Sequence, residues 1–272
     1  MLDLTGFPVD PERARAYVLA HGGPREKARL EGIFGRIGPD REVIRGYEAL
    51  QNPDGGFPLF MQPGNPSSVD ATCFALAQLK DLPPLAGSPM ASRAVSFLRR
   101  RQDPAGFWRE SEAVVPICPP WSHPENPTAG AYLTANAVFT LATLDPGHMD
   151  PVARAAGWLR QEIVGTADIR RIPARTLGQA AAVGYRVYGP GAGEVAWCYD
   201  QAEKQELDAA DLTWWLNAAL EIGVGGHFLL PLVRMLSRLA GLQQADGAWP
   251  DEGGGVEATL QALRVLRGYG LI

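Results

Sequence analysis

The sequence is poor in several features that define large functional classes. It has only three cysteines, Cys73, Cys118 and Cys198, and this odd, widely spaced set does not fit a disulfide framework and favours a reducing cytosol. The net charge is −5 and no basic cluster occurs, which argues against nucleic acid as the main partner. No apolar run approaches the roughly 20 residues of a membrane-spanning helix. The N-terminal residues 1–6 also lack the cationic start and apolar stretch of a signal peptide. We therefore expect a cytoplasmic protein without a transmembrane segment.

The most informative feature that is present is an internal repeat. A turn of Gln, three residues, Gly, one residue and an aromatic occurs as Gln51–Phe57, Gln102–Trp108 and Gln243–Trp249. Each copy lies between two helix-like segments, so the repeating unit is a helix, a glycine-rich turn and a second helix. A Gln side chain can bond the open backbone groups of a neighbouring helix end while the aromatic ring packs beneath it. We interpret these turn residues as structural.

Helical periodicity dominates the chain, and β-branched runs bounded by turns are scarce. Helices are predicted at residues 11–21, 25–36, 41–50, 68–80, 91–101, 130–144, 152–162, 173–188, 194–205, 207–222, 230–243 and 255–268. They alternate between helices that precede the turn and helices that follow it. About six such pairs are enough to close into a ring, which removes exposed ends. We predict an all-α, single-domain (α/α) toroid over residues 1–272, with helical hairpins around a central cavity.

The helices that follow the turn begin with an acid, any residue and Thr. The copies are Asp70–Thr72, Asp211–Thr213 and Glu257–Thr259, and the segment 130–144 fits the same frame with Ala135 in the place of the acid. An acid in the first turn of a helix is stabilised by the positive end of the helix dipole. Capping alone therefore explains all three acids without a functional role.

Helical spacing supports a second interpretation of Asp70 and Asp211. Residues at i+3 and i+4 share a helix face, so aromatic rings lie beside both carboxyls, as the lining of a hydrocarbon pocket requires. The long insertion at 118–127 is expected to form a lid over one end of the ring. The candidate wall residues are Phe74, Tyr132, Phe139, Trp214, Trp215 and, from the insertion, Trp121.

Two stretches of the repeat resemble a known superfamily. Residues 97–108 are similar to the QW motif of squalene–hopene and oxidosqualene cyclases, and residues 50–57 with 69–76 resemble the repeat of protein prenyltransferase β-subunits. The resemblance covers roughly residues 41–110 and 230–268. It implies the (α/α) toroid fold and a central cavity that binds an isoprenoid chain.

The resemblance also implies a chemistry. Class II terpenoid cyclases carry the motif Asp-x-Asp-Asp-Thr, whose middle Asp protonates an alkene or epoxide while aromatic faces stabilise the carbocation. Asp70 and Asp211 both fall on that middle position. The flanking acids are absent from both copies; Ser68 and Ala71 stand in their places in the first. Full-size cyclases of this class also contain a second helical domain, which this chain is too short to hold.

A zinc site is the alternative that the prenyltransferase resemblance implies. Those enzymes bind zinc through Asp, a Cys two residues later and a distant His. The nearest match here is Asp70 with Cys73, three residues apart, and His123 or His227 as a third ligand. The sequence around Cys198 resembles the Trp-Cys element of lanthionine cyclases, but the later Cys-His pair is absent. Short basic runs at 99–101 and 170–171 suit either a substrate diphosphate or a solvated helix face.

These observations favour one function and leave two alternatives. We expect a terpenoid-cyclase-like enzyme that acts on a linear isoprenoid, with Asp70 as the general acid and Asp211 as the second choice, and with no cofactor or metal. The alternatives are a non-catalytic toroid that binds an isoprenoid or a protein, and a zinc-dependent prenyltransferase-like enzyme. A second subunit is a further candidate partner.

Overall fold

Helices make up most of the structure, a computed structural model that describes residues 8–35, 41–165, 172–225, 228–250 and 255–272. The prediction of an all-α protein is confirmed, and each predicted helix has a counterpart within a few residues. The helices are α1 (Pro11–His21), α2 (Pro24–Ile33), α3 (Arg41–Leu50), α4 (Val69–Lys80), α5 (Pro83–Ala86), α6 (Pro89–Arg101), α7 (Ala129–Leu144), α8 (Met149–Gly165), α9 (Ala174–Tyr188), α10 (Gly193–Glu203), α11 (Ala209–Ile222), α12 (Leu229–Gly241) and α13 (Val256–Gly268).

The described residues include one very short sheet, which the sequence did not predict. Strands β1 (Phe57–Pro58) and β2 (Ser67–Ser68) pair antiparallel, with Phe57 opposite Ser68. The loop between them contains a 3₁₀ turn, Leu59–Met61. This hairpin leads directly into α4, so it fixes the chain at the N-terminal end of that helix.

Polar caps and prolines define where several helices begin. The Ser68 hydroxyl accepts the Ala71 N–H at the start of α4, and the Asp208 carboxylate accepts the Asp211 N–H at the start of α11. Such caps satisfy N–H groups that the first turn of a helix leaves open. No helix within the described ranges is long and apolar enough to cross a membrane.

The core lies between helices that contact one another in series. α4 contacts α7, α7 contacts α9, α9 contacts α11, α11 contacts α13, and α13 contacts both α1 and α2. α7 is buried over nearly its whole circumference, from Ala129 to Ala142. A helix that is apolar all round belongs inside a protein. α6, α8, α10 and α12 each pack against one or two helices of this series.

Each of the three repeated turns ties the end of one helix to the start of another. The Gln51 side-chain amide donates to the carbonyl of Gly55 in its own turn and to that of Met90 in α6. The other two turns repeat this arrangement, and Gln243 bonds the backbone of Asp10 through both its amide nitrogen and its oxygen. The turn after α12 is thereby tied to the start of α1, 233 residues away.

Glycine is required in these turns because a neighbouring backbone approaches closely. Gly247 has φ +94°, and a Cβ atom built there would lie 2.4 Å from the carbonyl carbon of Arg13. Gly55 has φ +88°, and its Cβ would lie 2.7 Å from the Arg93 carbonyl oxygen. Both the backbone angle and the space therefore exclude a side chain.

The aromatic residue of each turn is held by a threonine. The backbone N–H groups of Phe57, Trp108 and Trp249 donate to the hydroxyls of Thr72, Thr134 and Thr259 at 2.9–3.0 Å. Thr134 therefore corresponds to the threonine of the acid-x-Thr sequence. The frame predicted with Ala135 in the acid position is wrong by three residues, and Tyr132 occupies that position instead.

The third acid of the pattern, Glu257, belongs to a buried ion-pair network. The fully buried Arg29 guanidinium donates to Asp81 at 2.9 Å and to both Glu257 oxygens at 2.5 and 3.0 Å. Although burial opposes ionisation, Arg29 holds the pKa of Glu257 below its ordinary value. These contacts join α2, the end of α4 and the start of α13, so Glu257 has a structural role.

Candidate functional site

A cavity of about 380 Å³ opens at the N-terminal ends of α4, α9 and α11. The loop that precedes α7 and the 3₁₀ turn after β1 complete its wall. Its lining is mainly apolar and aromatic, with two charged side chains, Asp70 and Arg175. The lining residues are Leu59, Phe60, Met61, Asp70, Ala71, Phe74, Pro119, Trp121, Tyr132, Arg175 and Trp214.

Asp70 is the acid at this cavity, and three donors meet its carboxylate. Oδ1 accepts the Tyr132 hydroxyl at 2.7 Å and the Asn136 amide at 3.3 Å, while Oδ2 accepts the Trp121 indole N–H at 3.1 Å. Burial, and next the charge of Asp70, raise the pKa of Tyr132 well above its ordinary value, so its hydroxyl keeps the proton that it donates. Both oxygens of Asp70 therefore accept hydrogen bonds from neighbouring side chains.

A buried glutamate that the sequence analysis missed holds the backbone beneath Asp70. Glu110 is 4% exposed and accepts the Ser68 hydroxyl at 2.7 Å and the Val69 and Asp70 N–H groups at 2.9 and 3.1 Å. Burial raises the pKa of Glu110, and these hydrogen bonds oppose the rise. Glu110 therefore fixes the first turn of α4, and no local pattern marks it because its partners lie about 40 residues earlier.

The insertion at 118–127 brings one predicted residue to the cavity. Trp121 is 47% exposed, lines the cavity and bonds Asp70 through its indole nitrogen. Phe60, on the other wall, is 57% exposed and was not predicted. Phe60 and Met61 have φ of +59° and +54°, a costly conformation for residues with side chains. Two exposed aromatic rings and a strained turn thus border the cavity.

The other predicted wall residues divide between three places. Phe74, Tyr132 and Trp214 line the cavity with Asp70. Phe139 lies farther along α7, where it borders a smaller space that Trp214 also borders. The structure does not bring Trp215 to either space: its ring is fully buried against Tyr199, with centroids 5.3 Å apart.

Asp211 lies at the start of α11 and is not among the residues that line the cavity. Burial, and next the charge of Asp208, raise the pKa of Asp211, and the guanidinium and backbone N–H of Arg175 oppose the rise. The two acids predicted as alternatives therefore have different surroundings. Aromatic donors contact Asp70, whereas Asp211 lies beside a cap residue and a cation.

Arg175 is the cation in the cavity wall, and the sequence analysis did not single it out. Its guanidinium lies 5.9 Å from the centre of the Tyr132 ring. Among the described residues, no carboxylate lies within 4.0 Å of it, and its buried Nε has no hydrogen-bond partner. Of the basic runs that were singled out, Arg99 pairs with Asp145 at 3.3 Å, and 170–171 lie outside the described residues.

The described residues that were considered for zinc do not form a group that could hold a metal ion. Cys73 is buried, and burial raises the pKa of its thiol. His123 lies in the insertion, where its Nδ1 is 3.8 Å from Glu125, and His227 lies outside the described residues. Within the part of the chain that the structure describes, no group of three or more His, Cys, Asp or Glu residues is placed to hold a metal ion.

Comparison with known proteins gives one partial match in sequence. The chain is 33% identical over 114 residues to the drimenyl diphosphate synthase of Streptantibioticus cattleyicolor. The matched part is 42% of this chain and 18% of that protein, so the chain spans about a fifth of the relative's length. No protein-family model matches. The solved structure of a protein from Actinoplanes aligns with this chain over 98% of this chain and 100% of that structure, with 14% sequence identity and a TM-score of 0.47.

Proposed function

We propose that the chain forms a terpenoid-cyclase-like (α/α) toroid that binds a linear isoprenoid in the 380 Å³ cavity and protonates it from Asp70. The single observation that carries the proposal is the position of the Asp70 carboxyl in the wall of an aromatic cavity. The partial similarity to a drimenyl diphosphate synthase supports an isoprenoid ligand.

The toroid is supported by contacts that lead back to the start of the chain. The helix series from α4 to α13 ends on α2, and Arg29 of α2 bonds Asp81 at the end of α4. The turn after α12 also bonds Asp10 at the start of α1. The contacts from α4 through α13 to α2 therefore lead back to α4, which supports a ring of helices.

The cavity is suited to a short isoprenoid. Ligand pockets commonly measure about 300–1,000 Å³, and this one is near the lower limit. Rings of Phe74, Tyr132, Trp121 and Trp214 surround the space, and an aromatic face attracts a carbocation. Arg175 offers a charge-assisted contact to an anionic group, such as the diphosphate of a prenyl diphosphate.

The contacts of Asp70 fit a proton donor just after transfer. Protonation of an alkene forms a C–H bond and leaves a carboxylate, which Tyr132, Asn136 and Trp121 then stabilise by hydrogen bonds. Among the described residues, Oδ2 accepts a hydrogen bond only from Trp121, a half-exposed residue of the insertion. We therefore assign the transferred proton to Oδ2, which becomes free when Trp121 moves aside.

A non-catalytic isoprenoid-binding toroid is the second candidate. The observation that favours it is the same set of three donors, because they occupy both oxygens of Asp70 and leave neither free to contact a ligand. The absence of the two flanking acids of the cyclase motif also favours a non-catalytic role.

Product analysis with matched variants separates the two candidates. Wild-type protein, Asp70→Asn and Asp211→Asn would be incubated with geranyl, farnesyl and geranylgeranyl diphosphate and with squalene, and the products identified by mass spectrometry. Ligand binding would be followed through tryptophan fluorescence. We expect a cyclic product that Asp70→Asn abolishes and Asp211→Asn retains. If the product is lost with Asp211→Asn but not with Asp70→Asn, Asp211 is the general acid. Binding without product would establish the second candidate, and absence of binding would refute both.

A further inference from the structure

Phe60 has a backbone conformation that is costly for a residue with a side chain. Phe60 and Met61 have φ of +59° and +54°, and in the part of the chain that the structure describes they are the only non-glycine residues with positive φ. A Cβ atom in this left-handed region lies too close to the backbone, whereas glycine, as at Gly64 with φ +91° in the same loop, has no such cost. The Phe60 side chain therefore needs a contact that offsets this cost.

The protein's own core supplies little of that contact. Leu59, before the turn, is 2% exposed, and Met61 is partly buried against the core, but Phe60 is 57% exposed. A ring that remains mostly in water adds little to the stability of the fold. Folding alone therefore does not explain a phenylalanine here, whereas a ligand that covers the ring gains binding free energy from it.

Hydrogen bonds on both sides of the turn hold the Phe60 ring in place. The Leu59 N–H donates to the Pro66 carbonyl at 3.0 Å, and the Leu59 carbonyl accepts the Asn65 side-chain amide at 3.0 Å. The Asn65 carbonyl in turn accepts the Asn52 side-chain amide at 3.1 Å. The turn is thus fixed before any ligand binds, which lowers the entropic cost of forming a contact with one.

The Phe60 ring is fixed at the opening of the cavity. Phe60 lines the cavity together with Trp121, which is 47% exposed and belongs to the insertion. Partly exposed aromatic rings at the opening of a cavity offer apolar surface that a hydrocarbon chain can cover. We propose that Phe60 is a ligand-contact residue, and that the strained turn, fixed by Asn65, holds its ring against the isoprenoid. This assignment rests on the proposed function and adds to it a residue that determines the affinity for the prenyl chain.

The contact is tested by calorimetry with farnesyl diphosphate and farnesol. Covering the exposed part of a phenyl ring removes roughly 100 Å² of apolar surface from water, so Phe60→Ala should weaken binding of both compounds by at least about 10-fold. Phe60→Tyr keeps the ring and should bind both within about twofold of wild type. Leu230→Ala is the matched control, because Leu230 is 60% exposed but is not among the residues that line the cavity, and its affinity should equal that of wild type.

The positioning role of Asn65 is tested in two backgrounds. Asn65→Ala removes the bond to the Leu59 carbonyl and should weaken binding severalfold when Phe60 is present. In the Phe60→Ala background the same substitution should change the affinity no further, because the ring that Asn65 positions is absent. An equal loss in both backgrounds would overturn the positioning role.

Strain in the turn is measured by thermal unfolding without a ligand. Phe60→Gly and Phe60→Ala both lack the ring, but only the alanine variant keeps a Cβ atom at φ +59°. Phe60→Gly should therefore have a Tm about 2–4 °C above that of Phe60→Ala. Equal Tm values would overturn the claim that the turn is strained.

The binding results separate this inference from the proposed function. If wild type binds the two compounds and Phe60→Ala binds them equally well, the ligand contact is wrong and the proposed function stands. If wild type binds neither compound, both the ligand contact and the proposed function fail.

Discussion

Replacing Arg29 by methionine tests the buried ion pairs that join α2, α4 and α13. The substitution removes one hydrogen bond to Asp81 and two to Glu257 and leaves both carboxylates without their main partner. Breaking a buried pair in this way costs about 3–5 kcal/mol. Arg264 remains 3.5 Å from Asp81, and the Glu257 side chain is 33% exposed, so we expect about 3 kcal/mol.

The assay is thermal and urea unfolding of Arg29→Met, measured together with a control variant that lacks a surface ion pair. For a protein of this size, about 3 kcal/mol corresponds to a fall in Tm of roughly 6–12 °C. Arg234→Met is the control, because Arg234 pairs with Glu203 on the surface, where the side chains are 61% and 39% exposed. It should change stability by less than about 1 kcal/mol. Equal stability of the two variants would refute the argument that the Arg29 pairs are energetically distinct from surface pairs.

We also predict that the stability difference between wild type and Arg29→Met depends on pH. In the wild type, Arg29 lowers the folded-state pKa of Glu257 from its ordinary value of 4.5. This contribution to stability is therefore present above that value and is lost as the pH falls through the folded-state pKa. The stability difference between wild type and Arg29→Met should narrow below about pH 4.5. If the stability difference between the two proteins stays constant down to pH 3, the ion pair with Glu257 is not its source.

Three further substitutions test other parts of the structure. Gly247→Ala should lower the free energy of unfolding by at least about 1 kcal/mol, because its Cβ would overlap the Arg13 backbone; chemical denaturation measures this. Glu110→Gln should cost about 1–3 kcal/mol in the same assay, because its amide cannot accept all three donors at the start of α4. Arg175→Met should weaken binding of farnesyl diphosphate about 10- to 100-fold by calorimetry, because a charge-assisted contact is lost.

Each of these substitutions has a control or a contradicting result. Gly241→Ala is the control for Gly247→Ala, because a Cβ there meets no atom within 4 Å, and it should not destabilise the protein. Unchanged stability of Glu110→Gln would mean that the start of α4 does not depend on this carboxyl. For Arg175→Met, farnesol is the matched neutral ligand, and an equal loss of affinity for farnesol would assign the effect to packing rather than charge.

Local patterns in the sequence were sufficient to predict the helices. The Gln, Gly and aromatic residues of each turn lie within seven residues, and helical periodicity marks the segments beside them. The frame around Ala135 failed because it followed helix composition, whereas the structural landmark is Thr134, which binds the turn of Trp108. Because Trp108 and Thr134 are 26 residues apart, local composition does not reveal the hydrogen bond between them.

The candidate site was harder to predict because it depends on contacts between distant segments. Trp214 and Trp215 are neighbours on α11, yet successive helical residues point about 100° apart. One borders the cavity, and the other packs against Tyr199. Glu110 and Arg175 belong to no repeated pattern, and their positions follow only from how the helices pack. Asp70 could be nominated because helical spacing placed an aromatic residue beside it.

The bond between Gln243 and Asp10 has a consequence for how the protein is made. Closing a segment of 233 residues carries a large entropic cost, so this contact is expected to form late. α1 also packs on α13, which is synthesised more than 200 residues after it. α1 therefore cannot reach these neighbours until the segment through α13 has been synthesised.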